Sequence, residues 1–476
     1  MNVIRCPLFD SAIISKHETA LVSGHQAMIF SDVDEMAARA ARNLRRMGVE
    51  PGMRLAIYLE NSWQYVAILW GCWRAGVVAC PLNTRLPREA VFEQIRHIGA
   101  PALVARVSNP KGESTAALRV ISPDELLVYR ERDDDEVEGW PMSLDAPATI
   151  LFTSGSSGAP KAAEHSIANH YYNARASNKN VRLSSHDAWL LSLPLFHVGG
   201  IGVLFRCALA GAAVIVPEAG ESIEAAQERY GVTHLSLVAT QLYRLLNSEK
   251  LPASFAKLKT ILLGGSGMPP ALLVEAMRRR WPVYTSYGMT EMASQVCTMG
   301  PASPPAKRMT SGRALGHCEV RIATDGEIWV RGRTLFRGYV TASGRQLPVD
   351  EEGWFATGDL GALDEEGYLT VRGRKDNLFI SGGENIQPEE VENWLASFPE
   401  VAAAVVVPRS DEEFGARPVA FLQWRGDAVS DEELRARLEK ILPRYKIPAS
   451  FRAWPDASGE FKIDRRRFEQ LAASEV

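Results

Sequence analysis

The chain has 476 residues, 46% hydrophobic and 23% charged, an ordinary globular composition long enough for two or more domains and a large core. A formal net charge of -4 and a pI near 6.2 exclude the basic excess that a nucleic-acid partner requires. The arginine patches at 278–280 and 465–467 have apolar and acidic neighbours and read as solvated helix faces.

Helical patterning starts at Phe30, where Ser31 and Asp34 read as a capping-box pair before the apolar positions Met36, Ala40, Leu44 and Met47. A strand at 54–59, a helix at 63–75 and a buried strand at 76–80 follow. Residues 188–205 run for 18 positions without a charged side chain, the minimum length of a membrane-spanning helix. Pro194, His197, Gly199, Gly200 and Gly202 interrupt that run, which favours a strand, a turn and a buried helix, so no transmembrane segment is expected. Further buried strands at 213–216, 233–238 and 259–263 alternate with helical patterns, which predicts an α/β protein with parallel-rich sheets flanked by helices.

After about Gly312 short alternating strands at 319–322, 327–330 and 368–371 predict a small β subdomain over about 312–375. Past Asp376 a helix at 388–397, strands at 402–407 and 416–423 and a helix at 430–441 predict a compact α+β domain. The charged stretch Arg374, Lys375, Asp376 suits a linker, dividing the chain into 1–375 and 376–476. Six cysteines (Cys6, Cys72, Cys80, Cys207, Cys297, Cys318) are scattered, with no CxxC and no histidine at metal spacing. That pattern, and a first segment without a charged region leading into an apolar one, predict a reduced, cytoplasmic protein without a signal peptide.

Four short stretches carry chemistry. Thr153, Ser154, Gly155, Ser156, Ser157, Gly158 and Lys161 lie in one nine-residue stretch directly after the apolar run 148–152. Small residues let backbone N–H groups converge on an anion, hydroxyls add donors, and the lysine adds a point charge. The glycine spacing is not that of the usual P-loop, and a flexible Ser/Gly linker is the competing reading. The glycine-rich end of the 261–263 strand, with Gly265 and Ser266, would let a planar ligand approach the backbone; a plain turn, which is common, is the competing reading. Ser286, Tyr287, Gly288, Met289, Thr290 and Glu291 combine an aromatic face, a permissive glycine, a hydroxyl and a carboxylate, suited to a nucleotide and Mg²⁺. Against this stands a surface turn with a helix-capping Thr-Glu pair. Asp359 closes a strand-like run with Gly358, where a carboxylate can accept ribose hydroxyls or simply sit in a turn.

Together with Gly373, Arg374 and the Gly459-x-x-Lys462 signal, these stretches resemble, in order, the adenylate-forming superfamily of acyl-CoA synthetases, luciferases and peptide-synthetase adenylation domains. The segment 193–197, Arg206, Thr240 and the runs 376–387 and 413–418 are similar to the o-succinylbenzoate–CoA ligases of menaquinone synthesis. The resemblance implies a substrate carboxylate attacking the α-phosphate of ATP, with Mg²⁺, followed by displacement of AMP by coenzyme A. It implies that residues 153–161 hold the leaving phosphates and that Thr290 and Glu291 place phosphate and metal. It further puts Tyr287, near Gly265 and Ser266, on adenine, and Asp359 and Arg374 on ribose. Lys462 would bridge carboxylate and α-phosphate; Asp376 would be the hinge of a mobile C-terminal domain. Gly382, Gly383 and Glu384 would line the coenzyme A channel.

His197 reads from local sequence as a core histidine; the resemblance puts it at the acyl pocket with Thr240. Arg206 is the only charged residue between Asp187 and Glu218. It is expected to bind the second, non-reacting carboxylate of the acid, with a salt bridge to a core acid as the alternative. Ala162 and Ala163 depart from the glycine and β-branched residue frequent after the loop lysine. Another aryl- or fatty-acid CoA ligase, a carrier-loading adenylation enzyme and a non-catalytic nucleotide-binding regulator remain as alternatives. Partners are small molecules, and a homo-oligomer is compatible with the sequence.

Overall fold

The structure is a computed structural model and describes residues 2–106, 118–129, 139–153, 160–248, 251–265, 268, 270–455 and 465–474. Two large mixed sheets dominate it. One has eight strands in the order Gly344–Gln346, Gly338–Thr341, Lys161–Ser166, Pro147–Thr153, Val78–Pro81, Arg54–Tyr58, Ala102–Ala105, Arg119–Ile121. From Pro147–Thr153 onward its neighbours are parallel; the Lys161–Ser166 strand turns back antiparallel, with Lys161 opposite Thr153. The other has nine strands, with a parallel centre running from Thr19–Ser23 through Ala213–Val216, Ala188–Leu190, His234–Leu237 and Thr260–Leu263 to Val283–Met289. The alternation of strand and helix in the sequence therefore builds the α/β architecture expected of it.

One continuous apolar core joins both sheets. It takes Leu55, Ile57 and Leu151 from the first, and Leu21, Val214 and Trp189 from the second, with Trp70, Trp73 and Phe205 from helices between them in sequence. Helices Phe30–Arg46 and Trp63–Ala75 approach closely because both faces are small: a Cβ on Gly71 would lie 2.4 Å from that of Ala40. The first of these helices does not start as its sequence suggests. Asp32 accepts from the Ile29 N–H at 3.3 Å, while Asp34 is drawn into an ion pair with the buried Arg74. Ser31 and Asp34 thus form no capping box, because pairing with an otherwise uncompensated buried cation is worth more than a cap.

A four-stranded antiparallel sheet follows: Cys318–Ile322, Glu327–Gly332, Phe355–Leu363 and Leu369–Arg374. Between its second and third strands the chain leaves to add Gly338–Thr341 and Gly344–Gln346 to the edge of the eight-stranded sheet. Beyond the short turn Lys375–Asn377 lie a hairpin, Phe379–Ser381 with Glu384–Ile386, and a three-stranded sheet, Val401–Asp411, Gly415–Trp424 and Ser450–Ala453. Period-two alternation gives this last sheet two apolar faces. Val406, Ala420 and Leu422 pack with Val391, Leu395, Leu434 and Leu438 on one side; Val405, Val407, Val419 and Phe421 pack with Phe468 on the other. The run 188–205 forms the strand Ala188–Leu190 and the start of the buried helix Val198–Ala210, and no helix among the described residues is long and apolar enough to cross a membrane.

Candidate active site

Strand ends from both large sheets and the four-stranded sheet bring the chemistry-bearing stretches together. Lys161 opens the strand Lys161–Ser166, and its ammonium lies 5.1 Å from the centre of the Tyr339 ring. The Tyr339 hydroxyl donates to Glu291 Oε1 at 2.6 Å. The loop lysine and the candidate metal carboxylate therefore share one aromatic neighbour, although 130 positions separate them. Glu291 is buried in the turn Thr290–Met292, which directly follows the strand Val283–Met289. Residues 286–289 are thus strand, not a surface turn.

Ser286 donates to the Leu263 carbonyl at 2.8 Å, locking the end of the Thr260–Leu263 strand where Gly264 leaves no room for a Cβ (2.7 Å from Ser286 Oγ). Gly265 follows with φ +85°, exposed at that strand end. Gly288 has no such room either: a Cβ there would lie 2.0 Å from the Ser294 carbonyl oxygen.

Tyr287 is buried, and its hydroxyl donates to Asp359 Oδ2 at 2.6 Å. Arg374 grips the other carboxylate oxygen at 3.0 Å and reaches Asp376 Oδ2 at 3.2 Å. Burial and the neighbouring Asp359 carboxylate raise the Tyr287 hydroxyl well above its ordinary pKa, so it stays a donor. Burial alone would lower the Arg374 pKa, but Asp359 and Asp376 outweigh it and raise it. A line of hydrogen bonds thus runs from the expected adenine residue through both ribose residues to the expected hinge residue. Lys375 is fastened in turn to Asp325 (2.7 Å) and Glu327 (2.9 Å).

His197 is the N-terminal flanking residue of helix Val198–Ala210 and is exposed, its ring 4.6 Å from that of Phe196. It is not the buried core histidine that its apolar neighbours suggest. Thr240 is exposed in the first turn of helix Ala239–Leu246. Arg206, on the same helix as His197, is 1% exposed. Its guanidinium folds back along the helix over Gly202, where a Cβ would lie 3.1 Å from NH2. It lies 5.1 Å from the centre of the Trp189 ring and donates to Ser294 Oγ at 3.3 Å, while Nε has no hydrogen-bond partner. Among the described residues no carboxylate pairs with it, so the salt bridge to a core acid is not formed. Burial lowers its pKa to about 10, which still leaves a cation at neutral pH.

Gly382 and Gly383 turn the hairpin with φ +58° and +86°, and the Gly382 N–H donates to the Phe414 carbonyl at 2.9 Å. Glu384 is exposed beside them. Ser154, Gly155, Ser156, Ser157, Gly158, Ser266 and Lys462 lie outside the described residues. For Mg²⁺ the donor chemistry fits. Glu291 offers a hard carboxylate whose second oxygen is not engaged by Tyr339, and this ion is usually held by one or two carboxylates plus substrate phosphates. The described residues contain no group of three or more His, Cys, Asp or Glu that could hold a metal by themselves.

A loop lysine, a carboxylate turn and an Asp–Arg pair converging at strand ends define an enzyme that binds a nucleotide. The chain belongs to the AMP-binding enzyme family, whose model matches residues 9–340, and the family's C-terminal domain matches 390–458. It is similar to the 2-succinylbenzoate–CoA ligases of Bacillus subtilis and Bacillus velezensis, with 35% and 36% identity and 93% of each chain covered. It is also similar in structure to the o-succinylbenzoate CoA synthetase MenE of Bacillus subtilis in complex with the acyl-adenylate intermediate OSB-AMP. There the TM-score is 0.85 at 34% identity, with 95% of both chains covered. The same synthetase in complex with ATP and magnesium ion gives a TM-score of 0.84, over 95% of this chain and 96% of the other. The chain is an AMP-forming acid–thiol ligase.

Two features were not visible beforehand. Tyr339 is the hydroxyl on Glu291, and the sequence offered only an aromatic residue after Arg337. The buried trio Thr149, His165 and His170 carried no signal: Thr149 lies in the apolar run 148–152, and the sequence predicts no element for the stretch holding the two histidines.

Proposed function

We propose that this chain joins 2-succinylbenzoate to coenzyme A in menaquinone biosynthesis, by way of an acyl-adenylate. The observation that carries the choice of acid is Arg206, a buried cation that has, among the described residues, no carboxylate partner and no hydrogen-bond partner for Nε. Burying an uncompensated charge is costly, and a dianionic acid presenting its non-reacting carboxylate would compensate it. His197 lies at the N-terminal end of the same helix, five residues beyond Gly202, or about 7.5 Å along the axis. It would orient the acid and border the path of coenzyme A, with Thr240 of helix Ala239–Leu246 also at the acyl pocket.

Carboxylate and triphosphate are both anions, so adenylation needs charge neutralisation before the reactants meet. Residues 153–161 would hold the β- and γ-phosphates, with Lys161 steadying the leaving pyrophosphate. Tyr287, with Gly265 and Ser266, would pack on adenine, while Asp359 and Arg374 would fix the ribose. Glu291 and Thr290 would hold Mg²⁺, which when bound offsets phosphate charge. Lys462 would reach between the carboxylate and the α-phosphate. The C-terminal residues from 376 onward would then turn about Asp376 and present Gly382, Gly383 and Glu384 to the pantetheine arm. Six free, buried cysteines support a reducing, cytoplasmic setting.

Incubation with ATP, Mg²⁺, coenzyme A and a panel of acids, read by mass spectrometry, tests the assignment. The expected products are AMP and 2-succinylbenzoyl-CoA. Preference for a fatty or simple aryl acid, or thioester formation only on a carrier protein, would overturn it.

A further inference from the structure

The turn that carries Thr290 and Glu291 is under strain and is held from outside. Ala293 (φ +54°) and Ser294 (φ +132°) both sit in the region that disfavours residues with a Cβ. Neighbouring groups tie the carbonyls around them. Phe336 N–H donates to the Glu291 carbonyl at 2.7 Å, and Asn173 Nδ2 donates to Met292 (3.2 Å) and Gln295 (2.8 Å). The Thr290 carbonyl, nearest the chemistry, is 2.7 Å from His165 Nε2. His165 is fully buried on the strand Lys161–Ser166, four residues after the loop lysine.

The proton positions follow from the partners. A carbonyl only accepts, so His165 Nε2 carries hydrogen and the Nδ1 of the neutral ring accepts. The single hydroxyl hydrogen of Thr149 then points to His165 Nδ1 (3.3 Å), leaving the Thr149 oxygen to accept from His170 Nε2–H (2.8 Å). His170 Nδ1 is left as a bare lone pair, and among the described residues that atom has no hydrogen-bond partner. The His170 ring stacks on Phe205 at 5.3 Å, the residue before Arg206. At the other end of the turn, Ser294 Oγ accepts from Arg206. One turn therefore connects the proposed acid anchor with the proposed phosphate and metal residues.

We propose that His165 is a positioning residue for the nucleotide half of the site: its Nε2–H, directed by Thr149 and His170, holds the Thr290–Glu291 turn in register with Lys161. This deepens the ligase reading and rests on it. Displacing the turn should therefore impair MgATP handling and spare the thioester step.

The test compares His165→Leu, which removes the donor, with His165→Gln, whose terminal amide can replace Nε2–H. His165→Leu should raise KM for MgATP by about tenfold, the loss of one buried hydrogen bond, and His165→Gln should stay within about threefold of wild type. KM for coenzyme A, measured on supplied acyl-adenylate, should not change in either. An unchanged KM for MgATP in His165→Leu, or a glutamine variant no better than leucine, would overturn the proposal. Should the leucine variant not fold, Thr149→Val frees the tautomer and should raise KM for MgATP by about threefold. Nitrogen-15 histidine spectra of the wild type read the geometry without turnover: an Nε2–H tautomer for His165 is expected, and an Nδ1–H tautomer would overturn the proposal. If the wild type forms no adenylate from 2-succinylbenzoate, the ligase reading fails, while the tautomer still reports on His165.

Discussion

Replacing Arg206 by methionine separates two roles that a buried arginine can have. In a structural ion pair, removing one partner strands the other charge and costs about 3–5 kcal/mol of stability. Here, among the described residues, no carboxylate is left behind: the guanidinium has one hydroxyl bond at 3.3 Å, an Nε without a partner and the face of Trp189. Methionine fills the same channel past Gly202, loses about 1–2 kcal/mol of cation–π attraction, and removes the desolvation cost of the cation. Folding stability should therefore change by no more than about 1 kcal/mol. Binding should behave oppositely. A charge-assisted hydrogen bond to the substrate's second carboxylate is worth about 1.5–3 kcal/mol, or about 10- to 150-fold in affinity. The assay is pyrophosphate release, comparing 2-succinylbenzoate with the matched monocarboxylic acid that lacks the second carboxylate, alongside thermal unfolding. KM for the dicarboxylate should rise by that factor and KM for the monoacid should not. Equal KM changes for both acids, or an unfolding loss of several kcal/mol with unchanged KM, would refute the reasoning.

Lys462→Ala should slow acyl-adenylate formation by about a hundredfold or more, while thioester formation from supplied adenylate persists; equal loss in both half-reactions would contradict the role. Asp359→Asn removes the carboxylate shared by Tyr287 and Arg374 and should raise KM for ATP about tenfold, read by initial rates with the acid saturating. Stability should depend on pH through buried histidines. Burial lowers the His170 pKa well below 6.5 and that of His234 to about 4, so the unfolded chain binds more protons. As pH falls from about 6.5 toward 4, each should remove about 1.4 kcal/mol of stability per pH unit, and His234→Asn should reduce the slope of urea-unfolding free energy against pH by one proton.

Much of the architecture could be read from the chain because its strands are short apolar runs between turn residues. The helix at 63–75 has the ends its sequence predicts because Ser62 caps it and Gly76 (φ +72°) stops it. The start of the preceding helix was misread because a local cap competed with Arg74, forty residues away. Residues 153–161, the 286–291 stretch and Asp359 stood out as separate candidates, since each is a local combination of small, hydroxylic or acidic residues. Their connection was not. The Tyr287, Asp359, Arg374, Asp376 line depends on the register that sets Asp359 opposite Arg374 in neighbouring strands. Tyr339 reaches Glu291 only because its strand joins the edge of the eight-stranded sheet. His165 and His170 lie among mixed polar and apolar residues, where local sequence says nothing of what a buried ring nitrogen touches.

Isotope transfer tests the central claim most directly. With 2-succinylbenzoate labelled by oxygen-18 in its carboxylates, attack on the α-phosphate leaves one labelled oxygen bridging acyl carbon and phosphorus. When coenzyme A attacks the acyl carbon, that oxygen departs with AMP. AMP should therefore carry a single labelled oxygen and pyrophosphate none. Label in pyrophosphate or inorganic phosphate, or unlabelled AMP, would contradict the account.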